Sequence, residues 1–343
     1  MRILFDITHP AHVHFFRHAI AELLARGDQV AVTTRHKDIT VELLAELGIP
    51  ATPLTAAGKG LAGLVVEMIL RDVRLRRFCR RFRPDVLTAV SGAFAAQTAW
   101  LVGKPAVVWD DTEHQKFAHF VTRPFASAIF SPDCYTKPQG PKHHLYAGCH
   151  ELAYLHPGRF TPDPQVVRSL GIDPHSRYCL VRFVSWGAHH DVGQHGIAAD
   201  RRREFLESLS AVARPYVTSE APLPAELEPF GLRVPVSKVH HVLAFAALYV
   251  GEGATMASEA ALLGTPAVYT NTLPAGTIAM FARSGLVEQI TDTDAALRRC
   301  LAWLADDQAK PRAAAARDRL LADKIDVTAL IVQTLGDYAR RGR

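Results

Sequence analysis

Gly251–Pro266 reads GEGATMASEAALLGTP. It follows the apolar run Ala244–Val250 (AFAALYV), which reads as a buried strand and its approach. Glycine and small residues then turn the chain, and Met256–Leu263 carries the first turns of a helix. A strand feeding a glycine-rich turn and a helix N-terminus directs free backbone N–H groups and the positive end of a helix dipole at one point. That arrangement is an anion site. Glu259 stands one turn into the same helix, poorly placed to touch phosphate but well placed to grip the two hydroxyls of a ribose. The stretch points to a nucleotide-sugar site, the alternative being an ordinary strand–loop–helix unit with a small-residue packing face.

Working outward, the same alternation fills the chain. Strands are expected at Arg2–Ile7, Gln29–Thr34, Ala51–Leu54, Val86–Val90, Ala106–Trp109 and Ala128–Phe130. Helical spacing falls between them at His14–Arg26, Ile39–Leu47, Leu61–Phe82 and Ser91–Trp100. His156–Pro174 holds four prolines and no clean period, which suits a connection between domains. Tyr178–Val184 restarts the pattern, followed by strands at Tyr216–Thr218, Leu232–Val234, Leu248–Val250 and Ala267–Tyr269. The expected fold class is α/β, with two Rossmann-like doubly wound domains facing across a cleft. Their bounds are 1–155 for an acceptor domain, 156–174 for the linker and 175–325 for a nucleotide-sugar domain; a C-terminal helix over 326–343 would pack back on the first.

Length and composition bound the rest. A chain of 343 residues exceeds one comfortable core. Hydrophobic content of 48% with 21% charged residues describes a globular protein, and no apolar run reaches the roughly 18 residues that span a bilayer. Asp6 interrupts the first apolar segment and no small-residue cleavage pattern follows, so that segment is expected as a strand and not a signal peptide. The five cysteines are scattered, which argues for reduced thiols in a cytoplasmic setting and against a disulfide framework or structural zinc. The formal charge of +5 is unevenly placed, with seven arginines in Arg71–Arg83. Aromatic interleaving there is limited to Phe78 and Phe82 and no recognition motif accompanies it, so no nucleic-acid partner is expected. The Leu61–Arg83 helix reads either as a solvated face or as a peripheral contact with the inner face of an anionic membrane.

In doubly wound sheets ligands sit outside the carboxyl ends of the strands. Four loops in that position collect polar residues. The first carries His9 and His12; a histidine at a helix start resists protonation, leaving His12 available as a general base and His9 on the acceptor side. The second is Asp110, Asp111, Thr112, Glu113 and His114, where the carboxylates are candidate catalytic groups and His114 an acceptor-side donor. Adjacent loop carboxylates need not converge as a divalent cation requires, so no metal is expected. The third is RFVSWGAHHD, where Arg182 in an apolar strand needs an anion, and Ser185, Gly187, His189 and His190 would add donors around a diphosphate. The fourth is the opening stretch, with Gly253, Ala254 and Thr255 at the helix start and Glu259 behind. GxGxxG after the first strand, a phosphate-binding P-loop and a serine nucleophile elbow are all missing from the sequence, which disfavours NAD enzymes, NTPases and serine hydrolases.

At these loops the chain resembles the GT-B glycosyltransferase superfamily, and specifically the predicted glycosyltransferases of domain of unknown function 354. The UDP-GlcNAc 2-epimerases and the peptidoglycan UDP-GlcNAc transferase are more distant relatives. DITHPAHVHFF, GCHELAYLHPGRFTPD, RFVSWGAHHD and GEGATMASEAALLGTP carry the resemblance in that order along nearly the whole chain. It implies a GT-B fold and a histidine role at His12. It further implies a diphosphate turn at Ser185, Gly187 and Ala188, and a ribose-binding acid at Glu259. Glu252 departs from the pattern, since an arginine commonly stands there. The expected function is metal-independent transfer of a sugar from a nucleotide-sugar donor, a UDP sugar, to a hydroxyl acceptor that can be lipid-linked, without a separate cofactor, in cell-surface glycan or glycolipid synthesis. A UDP-sugar 2-epimerase is the first alternative, and a non-catalytic nucleotide-binding protein, or a scaffold that uses the fold to bind a membrane face, the second.

Overall fold

The computed structural model describes residues 1–36, 39–56, 60–113, 116–137, 140–183, 196–219 and 222–341, with the backbone alone for 60–66, 68 and 116. In chain order the elements begin β1 (Arg2–Ile7), α1 (Pro10–Ala25), β2 (Gln29–His36), α2 (Thr40–Glu46), β3 (Thr52–Ala56) and α3 (Gly60–Phe82). There follow β4 (Val86–Val90), α4 (Ala93–Leu101), β5 (Ala106–Trp109), α5 (Lys116–Thr122), β6 (Ala128–Pro132), β7 (His143–Tyr146) and α6 (Leu152–Leu155). Next come α7 (Pro164–Ser169), β8 (Tyr178–Phe183), α8 (Arg202–Ser210), β9 (Arg214–Ser219), α9 (Val239–Phe245), β10 (Leu248–Gly251) and α10 (Ala254–Leu262). The chain closes with β11 (Ala267–Tyr269), α11 (Gly276–Arg283), β12 (Val287–Gln289), α12 (Thr293–Leu304), α13 (Ala309–Leu321) and α14 (Val327–Arg341).

The chain divides into two compact units, Met1–Arg159 with Ile325–Arg343, and Phe160–Lys324. The first holds a parallel sheet in the order β3-β2-β1-β4-β5-β6-β7, the second a parallel sheet in the order β12-β11-β10-β8-β9. Each is doubly wound, and its order reverses once, between β1 and β4 in the first and between β8 and β10 in the second. The carboxyl edges at those two places are where ligands bind such sheets. Residues 156–174, expected as a connection, fall on both sides of the division. Pro164–Ser169 forms α7 there, started by Asp163, whose side chain accepts from Gln165 N–H. The last helix, α14, belongs to the first unit and packs on α1 and α6, with Thr328 Oγ1 donating to Ala153 O at 2.6 Å.

Side-chain alternation explains how the first sheet is covered. Leu4 and Asp6 face α3 and α4, where Leu4 joins Leu75, Cys79, Leu87, Ala96 and Val108 in a buried cluster. Phe5 faces the other way and meets Phe16 of α1 edge-to-face at 5.0 Å. Asp6 is buried on its face and receives Thr33 Oγ1 at 2.8 Å and Arg71 Nη2 at 2.5 Å. Arg71 also donates to Thr34 O and Thr55 Oγ1, each at 3.2 Å, and is fully buried. This corrects one expectation: Arg71 belongs to the core and not to the basic outer face of α3. The sheet supplies a carboxylate and two oxygens in reach of both Nη atoms, so the charge is paired inside.

Three boundaries differ from the sequence pattern. Helix α1 begins at Pro10 with His9 as its N-cap, so His12 lies inside the first turn and not before it. Proline fits the first helical position because its missing N–H has no partner to lose there. Helix α10 likewise begins two residues early, at Ala254. Leu232–Val234 is not a strand: Leu232 N–H reaches Val217 O at 2.8 Å, and among the described residues no ladder continues before Pro235. The short edge strands β7 and β12 carry no run that sequence patterning distinguishes from a loop.

Candidate functional site

In the first unit the carboxyl edge gathers residues from the loops after β1, β5 and β7. His9 caps α1 by accepting from Ala11 N–H through Nδ1 at 3.2 Å, and its ring lies 5.6 Å from that of His12. His12 is partly exposed, but its Nδ1 is buried and, among the described residues, has no hydrogen-bond partner. Burial first, then the neighbouring His9, push His12 down to about 3, while Asp111 acts in the opposite direction. The imidazole is therefore neutral at physiological pH with its lone pair available.

Asp110 and Asp111, adjacent in sequence, go different ways. Asp110 turns into the core, where His119 Nε2 stands 2.8 Å from Oδ2, Tyr135 Oη donates to the same oxygen at 3.3 Å, and Thr112 N–H donates to Oδ1 at 3.2 Å. Asp111 keeps 32% of its side-chain surface and meets His150 Nδ1 at 3.2 Å. Burial opposes ionisation of Asp111, yet His150, Thr112 and His12 together hold it well below the usual carboxylate range. Burial alone would lower His150, but the charge and hydrogen bond of Asp111 raise it above its ordinary value. The contact thus favours the imidazolium–carboxylate form of the pair. Glu113 is drawn away, accepting from Thr136 N–H at 2.6 Å and Thr136 Oγ1 at 3.0 Å. His114 lies outside the described residues.

The His150 side chain packs against Phe15, ring centroids 4.4 Å apart, and parallel to Tyr146 at 6.5 Å. Its Nε2 and the Tyr146 hydroxyl are buried and, among the described residues, without partners. Three unsatisfied polar atoms beside one ion pair are a costly arrangement unless a ligand or water completes them. Sequence reasoning missed His150, although it sits inside the GCHELAYLHPGRFTPD stretch. Its signal is a His–Glu pair directly before the apolar turn Leu152–Leu155.

One consequence concerns acid. His18, on α1, is pushed down to about 4 by burial, Arg17 and Arg159. In the unfolded chain His12 and His18 take up protons near pH 6.5. Folded, they stay neutral until far lower, so the unfolded state binds more protons in between and stability falls as pH drops from about 6.5 toward 4. His150 has the opposite sign: its contribution is complete below its unfolded value and is lost as pH rises through its raised folded one. The urea midpoint is expected to fall between pH 6.5 and 4, and His18→Gln to make that fall shallower. An equally steep fall in the variant would contradict the assignment.

In the second unit the opening stretch forms the end of β10 and the start of α10. Gly253 is the N-cap and supplies no side-chain bond; a Cβ placed on it would meet nothing within 4 Å among the described residues. Ala254 is partly exposed and Thr255 exposed, and as the first-turn residues of α10 their N–H groups have no partner within the helix. Gly251 is constrained instead. A Cβ there would lie 2.5 Å from Tyr249 Oη and 2.8 Å from Arg182 O, which only glycine allows. Arg182 pairs in register with Gly251, so alternation puts its side chain on the same sheet face as Tyr249. Burial raises the Tyr249 hydroxyl, with Arg182 partly opposing, and among the described residues it has no partner.

Glu259 is 4% exposed, and its Oε1 lies 3.0 Å from His240 Nε2 of α9. His240 is a second residue that the sequence pattern hides, because nothing local marks which helix will pack beside α10. Ser185, Gly187, His189 and His190 lie outside the described residues. Glu252, which departs from the family pattern, has a structural task. It is buried, its Oε1 accepts from Ile197 N–H at 3.1 Å and from Arg202 Nη2 at 3.3 Å, and Arg202 in turn lies 4.3 Å over the Phe183 ring. Gly196 lies beside it, where a Cβ would fall 2.2 Å from Glu252 Oε1 and displace that side chain. Glu252→Ala is expected to cost about 1.5–3 kcal/mol, the range for hydrogen bonds to a charged group, read as a lowered urea midpoint. A loss below about 0.5 kcal/mol, the level of an indifferent surface change, would show that the clamp is not formed.

Among the described residues no group of three or more His, Cys, Asp or Glu side chains is arranged to hold a metal ion, and no helix is long and apolar enough to cross a membrane.

Two doubly wound units with these strand orders make this a GT-B fold. Solved structures bear that out. The UDP-GlcNAc 2-epimerase from Neisseria meningitidis bound to UDP-GlcNAc is similar over 98% of this chain and 100% of that one, with TM-score 0.69 at 12% identity. The UDP-GlcNAc 2-epimerase of Methanocaldococcus jannaschii in complex with UDP-GlcNAc and UDP covers 92% of this chain and 99% of its own, with TM-score 0.62 at 13% identity. The spinosyn rhamnosyltransferase complexed with spinosyn aglycone covers 98% and 100%, with TM-score 0.63 at 14% identity. No curated protein matches the sequence. The chain belongs to the family described as "Protein of unknown function (DUF354)", which it matches over residues 1–196.

Proposed function

We propose that the protein transfers a sugar from a nucleotide-sugar donor, a UDP sugar, to a hydroxyl acceptor. The observation that carries this reading is His12: a neutral imidazole at the carboxyl edge of β1, with Asp111 nearby to stabilise the cation it becomes. In the reaction the acceptor oxygen bonds to the anomeric carbon as the bond to the diphosphate breaks. The diphosphate leaves with the electron pair and His12 takes the acceptor's proton. Arg182 and the N–H groups of Ala254 and Thr255 would stabilise the departing diphosphate without a metal. Glu259, held by His240, would bind the ribose. Ser185, Gly187, His189 and His190 are assigned to the diphosphate by the family resemblance. Asp110 and Glu113 stay candidates of lower standing, because their oxygens are already engaged within the fold.

Epimerisation at the sugar C2 is the second reading. It is favoured by the structural likeness to UDP-GlcNAc 2-epimerases and by the acid–base cluster of His12, Asp111 and His150. One experiment separates the readings. Thermal shift across nucleoside diphosphates and their sugars should show stabilisation by UDP or a UDP sugar that Glu259→Ala removes. Incubation with UDP-GlcNAc alone, followed by NMR, should leave the C2 configuration intact. Formation of the C2 epimer would replace the transferase with the epimerase, and no shift with any nucleotide would overturn both and leave a scaffold that does not bind nucleotides.

A further inference from the structure

The helices α3, α4 and α5 lie side by side on one face of the first sheet, α3 against α4 and α4 against α5. Gln97 Nε2 of α4 donates to Val121 O of α5 at 3.1 Å, fixing that junction. Their inner faces are spent on the core: Arg71, Leu75 and Cys79 of α3, spaced four apart, are buried. The opposite stripe of α3, Ile69, Val73, Arg77 and Arg80 with Arg81, is exposed and changes character along its length. Ile69 and Val73 are 61% and 60% exposed, and the arginines follow. Beside them Trp100 of α4 is 62% exposed, and Phe117 and Phe120 of α5 are 68% and 78% exposed. A layer in which large apolar side chains stand this far out on three neighbouring helices is not accounted for by folding of the unit.

The charge around it has one sign. On α3, Arg74, Arg77, Arg80 and Arg81 are exposed, whereas Glu67 is buried against Arg35 and Asp72 is partly buried. Among the described side chains of α3, α4 and α5 every exposed charged group is an arginine. Each helix follows a parallel strand and runs back against it, so its N-terminal end lies at the carboxyl edge of the sheet. Phe117 lies in the first turn of α5 and Phe120 just past its midpoint, Trp100 lies at the end of α4, and Ile69 and Val73 precede the exposed arginines on α3. Along α3 the exposed apolar side chains are therefore nearer the edge that carries His12 and Asp111 than the exposed arginines are, and Phe117 starts α5 at that same edge.

We infer that this face docks on the surface of an anionic lipid bilayer. Aromatic and aliphatic side chains would enter the headgroup region, and the arginines of α3 would contact the anionic headgroups. Nucleic acid would satisfy the arginines but leave Phe117, Phe120 and Trp100 in water. The inference deepens the proposed transfer by naming a membrane-borne acceptor class: the docked face would bring the His12 edge toward hydroxyls presented at the lipid surface. It does not depend on the identity of the donor.

The test is flotation of the full chain with vesicles of phosphatidylcholine alone and with about a third phosphatidylglycerol, at low and high salt. Binding is expected only to the anionic vesicles and to weaken as salt rises. The triple substitution Arg77→Glu, Arg80→Glu and Arg81→Glu is expected to reduce it by roughly tenfold or more. Phe117→Ser with Phe120→Ser is expected to abolish it, with Phe120→Ser alone as the milder variant if the pair fails to fold. The thermal shift by UDP in free solution should be unchanged in all of them, so loss of docking and loss of nucleotide binding are read separately. Failure of the wild-type chain to float with anionic vesicles would overturn the inference. So would equal binding to neutral vesicles, or undiminished binding by the arginine variant; capture of a protein in place of lipid would do the same.

Discussion

Replacing His12 by glutamine is expected to slow donor turnover by about 10²–10⁴-fold, the usual contribution of a general base, while leaving the thermal shift by UDP in place. Glutamine keeps the size and a polar end but cannot accept the acceptor's proton. The separation of the two readouts follows from position. His12 sits in the first turn of α1 in the first unit, whereas the uncapped start of α10 and Glu259 belong to the second. UDP release measured with saturating donor checks the rate, and melting with and without UDP checks binding. A variant with unchanged turnover would remove His12 from the chemistry. A variant that lost both would place His12 in donor binding. Asp111→Asn should show a smaller loss in the same direction, because it removes the charge that favours a protonated His12 without removing the base itself.

The second large effect concerns stability. Arg71→Ala is expected to lower the unfolding free energy by about 3–5 kcal/mol, since it strands the buried carboxylate of Asp6 without its cation. Arg77→Ala, on the exposed stripe of the same helix, is expected to stay within about 0.5 kcal/mol of the parent. Urea titration of the two single variants makes the comparison. A double variant, Asp6→Leu with Arg71→Met, should recover much of the loss, because replacing both members of a buried pair by apolar groups removes the stranded charge. Equal behaviour of the Arg71 and Arg77 variants would show that the helix is not seated as described.

Much of the architecture was legible in the chain. Alternating buried strands and amphipathic helices with short connections leave few arrangements other than a parallel, doubly wound sheet, and twice over in a chain of 343 residues. Groups whose role is local were legible too. The exposed glycine-led start of α10 and a histidine at a helix start follow from a few neighbouring residues and the direction of the backbone. The boundaries at Pro10 and Ala254 were less legible, because both helices begin on residues whose side chains carry no period.

The partners were not legible, and they decide what each group is. His240 reaches Glu259 across 19 residues, Ile197 reaches Glu252 across 55, and Arg71 reaches Asp6 across 65. Nothing within a helical turn or a strand repeat records such pairings; they arise from which helix lands on which strand. So Asp110 and Asp111, identical and adjacent, separate into a core anchor and a partly exposed carboxylate that meets His150, because strand ends turn successive side chains to opposite sides. Glu252, anomalous in the sequence, becomes a clamp once Arg202 and Ile197 are brought to it. The sequence by itself determined the fold class, because that follows from periodicity and chain direction. Only the tertiary structure decided which polar groups are spent on holding the protein together and which are left for chemistry, because burial and charge partners belong to residues far apart in the chain.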